Sequence, residues 1–513
     1  MIRKRNPGFT VRDSGLQKSL LNEQFNLGRY EDLVLRYGLS SVWDELLDIL
    51  TKHGIDFFEK NYVDFYDIGR LYEIGLAVEN KYSKKEAGKY YTPKDVSQLM
   101  ADLLIENERL DAIADVGCGC GNLVIEVLQK VKDRSGEEFG KLVNNIYLYD
   151  SDKTAINICK TRISVLFSID DKNIHACCGD YLNGKVKMPS DCFVISNPPY
   201  SQIKDVDKSW GYKVAIKESK DLYVGFIEKM IRTSEKAVIV SPQSYIVGTK
   251  FKKIRELLYK LGSGEIYSFD NVPGTLFNGR KQGVFNTNTA NGVRASILVF
   301  NKTTNKGYRL THLIRFRTDE REKVIKIGYV KKQLGSRIQD LKKPLKCFRE
   351  LESFVGTITG NKTIKDLLSI KENKYCINVN SSARYFIVGS AKKLNRNGSF
   401  ELYAKDEESF YLLYALLNSS YAYLWWRMLD GGILIPKSLL IEIPLPSIFN
   451  FDNSIVQYCK KLINDENKHL VYKKNAGAMQ ESIKFPVESR NKLNQLMFGD
   501  IPFELIHSNK EFF

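Results

Sequence analysis

The stretch AIADVGCGCGNLV, residues 112–124, joins a short apolar run to a glycine-rich turn and the start of a helical pattern. Glycines at 117, 119 and 121 let the backbone turn tightly and approach a ligand at the N-terminus of the following helix. The dinucleotide-binding pattern G-x-G-x-x-G fails here, because Asn122 follows Gly121. The stretch therefore predicts an α/β domain with a ligand-binding turn, and a purely structural turn is the alternative.

Outward from this turn, apolar runs alternate with helical patterns between about Gly88 and Asn301. Strands are predicted at 112–116, 145–149, 192–196, 237–240, 265–269 and 295–300, and helices at 123–132, 153–167, 222–233 and 251–261. This alternation predicts a mostly parallel sheet covered on both faces. Residues 1–85 carry apolar side chains at helical spacing and predict a helical N-terminal region.

Two acids are predicted at the ends of strands. Asp150 closes the second strand, where a carboxylate can accept both ribose hydroxyls of a nucleoside cofactor. The alternative role of Asp150 is to cap the helix that starts at Lys153. Asp180, in Gly179-Asp-Tyr181, falls where the next strand should end. It can accept from the amino group of a cofactor adenine or lie in a loop without function.

The segment Ser196-Asn-Pro-Pro-Tyr200 directly follows a buried strand. Asn197 and the Pro198 carbonyl offer two acceptors for the hydrogens of an amine. They would draw a conjugated amine such as that of adenine towards tetrahedral geometry and stabilise the charge developing on nitrogen. The prolines fix φ, and Tyr200 offers a face on which an extruded base can stack. An ordinary Asn-Pro-Pro turn is the alternative.

Residues 89–94, Lys-Tyr-Tyr-Thr-Pro-Lys, precede an amphipathic helical pattern. Thr92 and Pro93 are good residues with which to start a helix. With this loop, five motifs follow one another in a fixed order. They resemble the gamma class of amino-methyltransferases that act on DNA adenine, which includes Taq-type enzymes and the modification subunits of type I restriction systems. The resemblance covers about residues 85–305.

The resemblance implies a Rossmann-like, S-adenosylmethionine-dependent methyltransferase domain at 86–305. Its product would be adenine methylated on N6, made from a base flipped out of double-stranded DNA at a specific site. The residues implied to bind the cofactor all belong to the five motifs: Tyr91, Thr92, Pro93, Asp115, Gly117, Gly119, Gly121, Asp150, Asp180 and Asn197.

Asn197, Pro198 and Tyr200 are the predicted catalytic residues. In the family, a late aromatic residue packs on the other face of the target base, and Phe277 resembles it. Phe285 is a rival, because the segment after Phe277 is longer than expected.

Basic residues concentrate in the C-terminal part. Residues 306–513 contain 34 basic and 22 acidic side chains, which accounts for +12 of the net charge of +16. Between residues 306 and 350 the counts are 14 and 5. This excess predicts a surface that binds phosphates, and a solvated basic face is the alternative. The predicted DNA contacts are four lysines of this segment: Lys331, Lys332, Lys342 and Lys343.

Residues 411–446 resemble the target-recognition regions of such enzymes, with Trp425 and Trp426 expected in the core. We therefore expect a mixed α+β DNA target-recognition domain at 306–513. The apolar run at 410–429 predicts a buried helix and not a membrane span, because four polar residues interrupt it: Asn418, Ser419, Ser420 and Arg427.

Nine cysteines without a C-x-x-C pair argue against a zinc site and a disulfide framework. They predict reduced thiols, which fits a cytoplasmic protein, and no metal site. The resemblance implies a nucleoid-associated protein of a bacterium or phage that binds no membrane. The N-terminus lacks the apolar segment of a signal peptide. The expected partner is DNA, with a restriction endonuclease or specificity subunit as a further candidate.

Other functions compete with adenine methylation. Methylation of a protein glutamine can use the same Asn-Pro-Pro-Tyr geometry, but has no need of a basic C-terminal region. Methylation of the cytosine N4 amine uses similar chemistry, although such motifs usually start with serine, where this chain has Asn197. A catalytically inactive DNA-binding protein is the non-enzymatic alternative. No nuclease signature is visible, which favours a methyltransferase of a restriction-modification or related defence system without a fused nuclease.

Overall fold

The computed structural model describes residues 92–189, 191–277, 293–339, 345–358, 360–383, 385–432, 434–447, 451–475 and 478–507. The predicted helical region at 1–85 lies outside these residues. So do Tyr91, Phe285, Lys342 and Lys343.

A nine-stranded sheet dominates the first of two compact units. Its strands are β1 (Ile113–Val116), β2 (Ile146–Asp150), β3 (Ile174–Cys178), β4 (Phe193–Ser196), β5 (Lys236–Pro242), β6 (Gly262–Phe269), β7 (Ala295–Lys302), β8 (Gly307–Ile314) and β9 (Leu334–Ile338). They lie in the order β3-β2-β1-β4-β5-β7-β6-β8-β9. Strands β1 to β5 pair in parallel, and β7 is antiparallel to both of its neighbours.

The helices of this part of the chain connect the strands. They are α1 (Lys94–Ile105), α2 (Asn122–Arg134), α3 (Gly136–Leu142), α4 (Lys153–Phe167), α5 (Val214–Ser219), α6 (Leu222–Thr233), α7 (Lys252–Leu261), α8 (Arg321–Val324) and α9 (Ile327–Lys332). The six predicted strands and four predicted helices are all present. The bounds of α4 and α6 agree with the prediction to the residue, because their apolar spacing is regular and turn residues flank them.

The strand order reverses direction at the centre of the sheet. From β1 the chain builds outward to β2 and β3 on one side, then returns to place β4 on the other side of β1. In open parallel sheets, such a reversal leaves a crevice at the carboxyl ends of the two central strands, where ligands bind. The order gives the Rossmann-like α/β fold that was predicted. It also brings the residues after β1 and the residues after β4 to the same edge.

The predicted boundary between residues 305 and 306 does not coincide with the division of the structure. Strands β8 and β9 extend the sheet beyond it, and the main division falls near residue 344. Short segments of these strands, Leu310–Leu313 and Gln333–Ser336, group with the second unit. The basic composition of this stretch suggested a new domain, but β8 buries Tyr308 and its other apolar residues in the core.

The second unit is a mixed α+β structure, as predicted. It contains a three-stranded antiparallel sheet in the order β11-β10-β12 and a hairpin of β13 and β14. These strands are β10 (Cys376–Asn380), β11 (Gly389–Ser390), β12 (Ser399–Tyr403), β13 (Leu470–Asn475) and β14 (Ala478–Ile483). Its helices are α10 (Glu352–Gly356), α11 (Glu407–Asn418), α12 (Tyr421–Leu429), α13 (Lys437–Ile441), α14 (Asn453–Asp465) and α15 (Val487–Phe498).

The apolar run at 410–429 forms two helices, α11 and α12, because Ser419 and Ser420 interrupt it. Both helices contribute to the core of the second unit, and Trp425 and Trp426 of α12 are buried there. None of the helices in the described ranges is long and apolar enough to cross a bilayer. All nine cysteines are free thiols, and the described residues contain no cluster of side chains suited to a metal ion.

Candidate active site

The turn after β1 depends on backbone conformations that favour glycine. Gly117, Gly119 and Gly121 have φ of 75°, 48° and 91°. A Cβ on Gly121 would lie 2.6 Å from the Cys159 sulfur, so this glycine permits close packing of α2 on α4. A Cβ on Gly117 would meet the Asn197 backbone oxygen at 3.4 Å. The turn after β1 and the Asn-Pro-Pro-Tyr segment are therefore direct neighbours.

Asp115 is fully buried at the end of β1. Its Oδ2 accepts from the Val124 backbone nitrogen at 3.1 Å, whereas its Oδ1 has no hydrogen-bond partner among the described residues. Burial raises the pKa of Asp115 to about 8, opposed by the Val124 bond and assisted by the charge of Asp150. A buried carboxylate oxygen without a donor is costly. Asp115 therefore offers an acceptor to a cationic or N–H-bearing ligand.

Asp150 joins the glycine turn to the end of β2. Its Oδ2 accepts from the Gly119 backbone nitrogen and its Oδ1 from the Asp152 nitrogen, both at 2.9 Å. The cap of α4 is Asp152, whose carboxylate accepts from Thr154 and Ala155. The helix-cap alternative for Asp150 is therefore wrong, and its carboxylate lies beside the turn.

Asp180 lies in a loop whose shape is held by other side chains. Its carboxylate accepts from the Trp210 indole at 2.6 Å and from the Leu182 nitrogen at 2.9 Å. The buried ammonium of Lys229 donates to three backbone oxygens of the same loop, including that of Tyr181 at 2.5 Å. Burial lowers the pKa of Lys229 to about 8. Asp180 remains exposed, so its carboxylate is open to a further donor.

The side chain of Asn197 has a defined orientation. Its Nδ2 donates to the Thr92 hydroxyl at 2.8 Å, and its Oδ1 accepts from the Tyr200 hydroxyl at 2.6 Å. The Tyr200 hydroxyl also lies 3.3 Å from the backbone oxygen of Val240. Ser196 ties the base of the segment to β1 by donating to the Val116 oxygen at 2.6 Å. The carboxamide oxygen is thus held at the edge where β1 and β4 end.

Two aromatic rings pack against Tyr200, whose hydroxyl contacts this carboxamide. The rings of Tyr200 and Phe277 meet edge to face with centroids 6.1 Å apart. Tyr223 lies on Tyr200 in the same manner at 6.4 Å. The structure therefore brings together four predicted site residues from distant parts of the chain: Thr92, Asn197, Tyr200 and Phe277.

Some charges of the basic segment are paired inside the protein. Arg315 is paired with Asp270 at 2.7 Å and is only 12% exposed. The ammonium of Lys331 contacts the carboxylate of Glu106. The pair with Glu106 argues against Lys331 as a phosphate contact. Lys332 is exposed and remains a predicted DNA contact.

Two polar residues near the site carried no sequence signal. Gln243, which follows β5, is 5% exposed, and neither atom of its carboxamide has a hydrogen-bond partner within the described residues. Such a group can both donate to and accept from a ligand. Arg321 contacts Asp95 and the backbone before Phe277. Only long-range packing identifies these two residues.

The family model and the curated relatives that match this chain are all named as methylases or methyltransferases. The family model described as N-6 DNA Methylase matches residues 64–386. The type I restriction enzyme MpnII methylase subunit of Mycoplasma pneumoniae is 31% identical over 167 residues, covering 31% of this chain and 29% of that protein. The type II methyltransferase M.VspI of a Vibrio species is 29% identical over 153 residues, covering 30% of this chain and 32% of that protein.

The match thus spans no more than about a third of the length of these curated relatives. A solved structure, the methyltransferase subunit of a type I restriction-modification system from Streptococcus thermophilus, aligns with a TM-score of 0.37. It is 18% identical, and the alignment covers 53% of this chain and 58% of that one.

Proposed function

The chain belongs to the N-6 DNA methylase family, and on that premise we propose that it methylates the N6 amine of adenine in DNA. The methyl donor is S-adenosylmethionine, and the adenine is flipped out of the duplex at a specific sequence. The observation that carries this proposal is the carboxamide of Asn197, oriented by Thr92 and Tyr200 beside the glycine turn.

The residues around the turn fit the donor. Asp115 presents an acceptor without a partner among the described residues, and a methionine ammonium supplies the missing donor. Asp150 ends β2, a position from which a carboxylate can accept from the ribose hydroxyls of a nucleoside cofactor. Left-handed glycines keep the turn open to a close ligand. When bound, S-adenosylmethionine supplies an electrophilic methyl group on a sulfonium.

Asn197 and Pro198 act on the amine. The lone pair of the adenine amine is delocalised into the ring, so the amine is a weak nucleophile. The Asn197 Oδ1 and the Pro198 backbone oxygen accept from its two hydrogens and stabilise the positive charge that grows on nitrogen during transfer. Neither oxygen is basic enough to keep the proton, which leaves to water once the nitrogen–carbon bond has formed.

Tyr200 and Phe277 form the walls for the target base. A base between two rings needs about 3.5 Å on each face, so the present edge contact at 6.1 Å must open to admit it. Stacking on aromatic side chains compensates for the stacking that the base loses in the duplex. The pocket therefore favours an extruded base over one inside the helix.

The relatives carry names of restriction-enzyme methylase subunits and methyltransferases. By this similarity we assign the chain to a restriction-modification or related defence system, with DNA as its substrate. A specificity subunit or restriction endonuclease is the proposed protein partner.

Transfer of an isotope-labelled methyl group tests the proposal. The purified protein is incubated with labelled S-adenosylmethionine and unmethylated genomic DNA, and the digested nucleosides are separated by mass. The expected product is N6-methyladenosine in its deoxy form. Label in N4-methylcytosine would show that the methylated base is cytosine and not adenine. Label in protein glutamine would show that the substrate is a protein and not DNA.

A further inference from the structure

Arg321 lies in the basic segment but faces the protein interior. It begins α8 and is 13% exposed. Its guanidinium donates to both carboxylate oxygens of Asp95, at 2.5 and 2.9 Å. It also donates to the backbone oxygens of Thr275 at 2.6 Å and Leu276 at 2.8 Å.

The two sets of partners belong to opposite sides of the site. Asp95 lies in the first turn of α1, three residues after Thr92, which orients the amide of Asn197. Leu276 immediately precedes Phe277, whose ring contacts Tyr200. One side is the loop implied to bind the cofactor, and the other precedes the residue proposed as a wall of the base pocket.

The contacts form a closed circuit. Starting at Asn197, it passes through Thr92 to α1, crosses Arg321 to the segment before Phe277, and returns through Tyr200 to Asn197. The planar guanidinium thus joins the backbone just before Phe277 to the helix that begins after Thr92.

We propose that Arg321 is a positioning residue that couples binding of S-adenosylmethionine to capture of the flipped base. This inference rests on the proposed function. Four of the five N–H groups of Arg321 are engaged inside the protein, which argues against the phosphate contact that its basic surroundings suggest. A lysine keeps the charge but cannot span the same acceptors, because it lacks the planar fork.

Coupling of this kind is reciprocal, so it is measurable from either ligand. The probes are S-adenosylhomocysteine and a duplex with 2-aminopurine at the target position, whose fluorescence rises when the base leaves the stack. In the wild type, the cofactor product should tighten binding of the flipped duplex by about tenfold. In Arg321→Met and Arg321→Lys this factor should fall below about twofold, while each ligand alone binds within about threefold of wild type.

Three controls separate coupling from other roles. Lys323→Met alters an exposed neighbour on α8 and should keep the wild-type coupling. Asp95→Asn removes the ion pair from the other side and should lose it, with no additional loss in the double variant. The dependence of DNA affinity on salt should not change in Arg321→Met, because no phosphate contact is removed.

Each outcome decides between the alternatives. Wild-type coupling in a folded Arg321→Met variant would overturn the inference, as would a shallower salt dependence or an uncoupled wild type. If the wild type neither binds S-adenosylhomocysteine nor methylates DNA, the proposed function itself fails. Methylation by the wild type with coupling unchanged in the variants overturns the role of Arg321 alone.

Discussion

Asn197 and Thr92 are 105 residues apart in the chain, yet the Asn197 amide nitrogen donates to the Thr92 hydroxyl at 2.8 Å. This bond determines which atom of the carboxamide is left for other partners. The oxygen points to the Tyr200 hydroxyl, and it is the atom that an amine substrate requires. On the proposed function, Thr92 therefore orients the catalytic amide as well as preceding a helix.

Replacing Thr92 with valine keeps the shape of the side chain but removes the hydroxyl that accepts from the Asn197 amide N–H. We expect kcat to fall about tenfold, equal to roughly 1.4 kcal/mol, because the amide is no longer held in one orientation. Affinity for S-adenosylmethionine should change much less. Thr92→Ser, which retains the hydroxyl, should recover most of the turnover. Full activity in Thr92→Val would show that the amide needs no such support.

Tyr200 combines a stacking face with a hydroxyl that contacts Asn197. Tyr200→Phe should keep base capture, measured by 2-aminopurine fluorescence, and lower kcat several-fold through loss of a hydrogen bond worth about 1 kcal/mol. Tyr200→Ala should reduce both the fluorescence change and turnover. Equal loss of base capture in the two variants would show that stacking is not the role of the ring.

We predict that Asp115 makes cofactor binding dependent on pH. Its pKa of about 8 means that it is mostly protonated at pH 7 in the free protein. A cationic ligand favours the ionised carboxylate, so binding should release up to about one proton at pH 7. Affinity for S-adenosylmethionine should therefore rise with pH up to about 8 and then level off. Calorimetry in buffers of different ionisation enthalpy measures the release, which Asp115→Asn should abolish.

Lys332 and Lys331 are adjacent but differ in their surroundings. Lys332 is exposed, whereas the Lys331 ammonium pairs with Glu106. Lys332→Ala should weaken binding to all DNA sequences alike and reduce the salt dependence by about one unit of slope. Lys331→Ala should leave that slope unchanged and lower thermal stability slightly. The opposite pattern would assign the phosphate contact to Lys331.

Local patterns predicted most of the first unit. The β1 turn, the acid after β2 and the Asn-Pro-Pro-Tyr segment each follow a buried apolar run, and parallel pairing brings such run ends to one edge. The sequence therefore predicted which residues meet there. It did not predict that Thr92 orients Asn197 or that Arg321 joins two loops, because these contacts depend on three-dimensional packing.

Amino-acid composition predicted the structure less well than the local sequence patterns did. The excess of basic residues after 305 suggested a separate DNA-binding domain, but β8 and β9 continue the sheet. Arg315 and Arg321 are committed to the carboxylates of Asp270 and Asp95. Net charge counts side chains without regard to their partners, so it cannot separate a phosphate-binding surface from an internal ion pair.

The most direct test of the central claim is a map of modified bases in living cells. The chain is expressed in a bacterium that lacks adenine methylation, and its genomic DNA is sequenced by a method sensitive to modified bases. We predict N6-methyladenine at one short, defined sequence, and its loss in Asn197→Ala, which should still fold and bind both the cofactor and DNA. Unmodified DNA from cells that contain the folded protein, or methylation that persists in Asn197→Ala, would contradict the account.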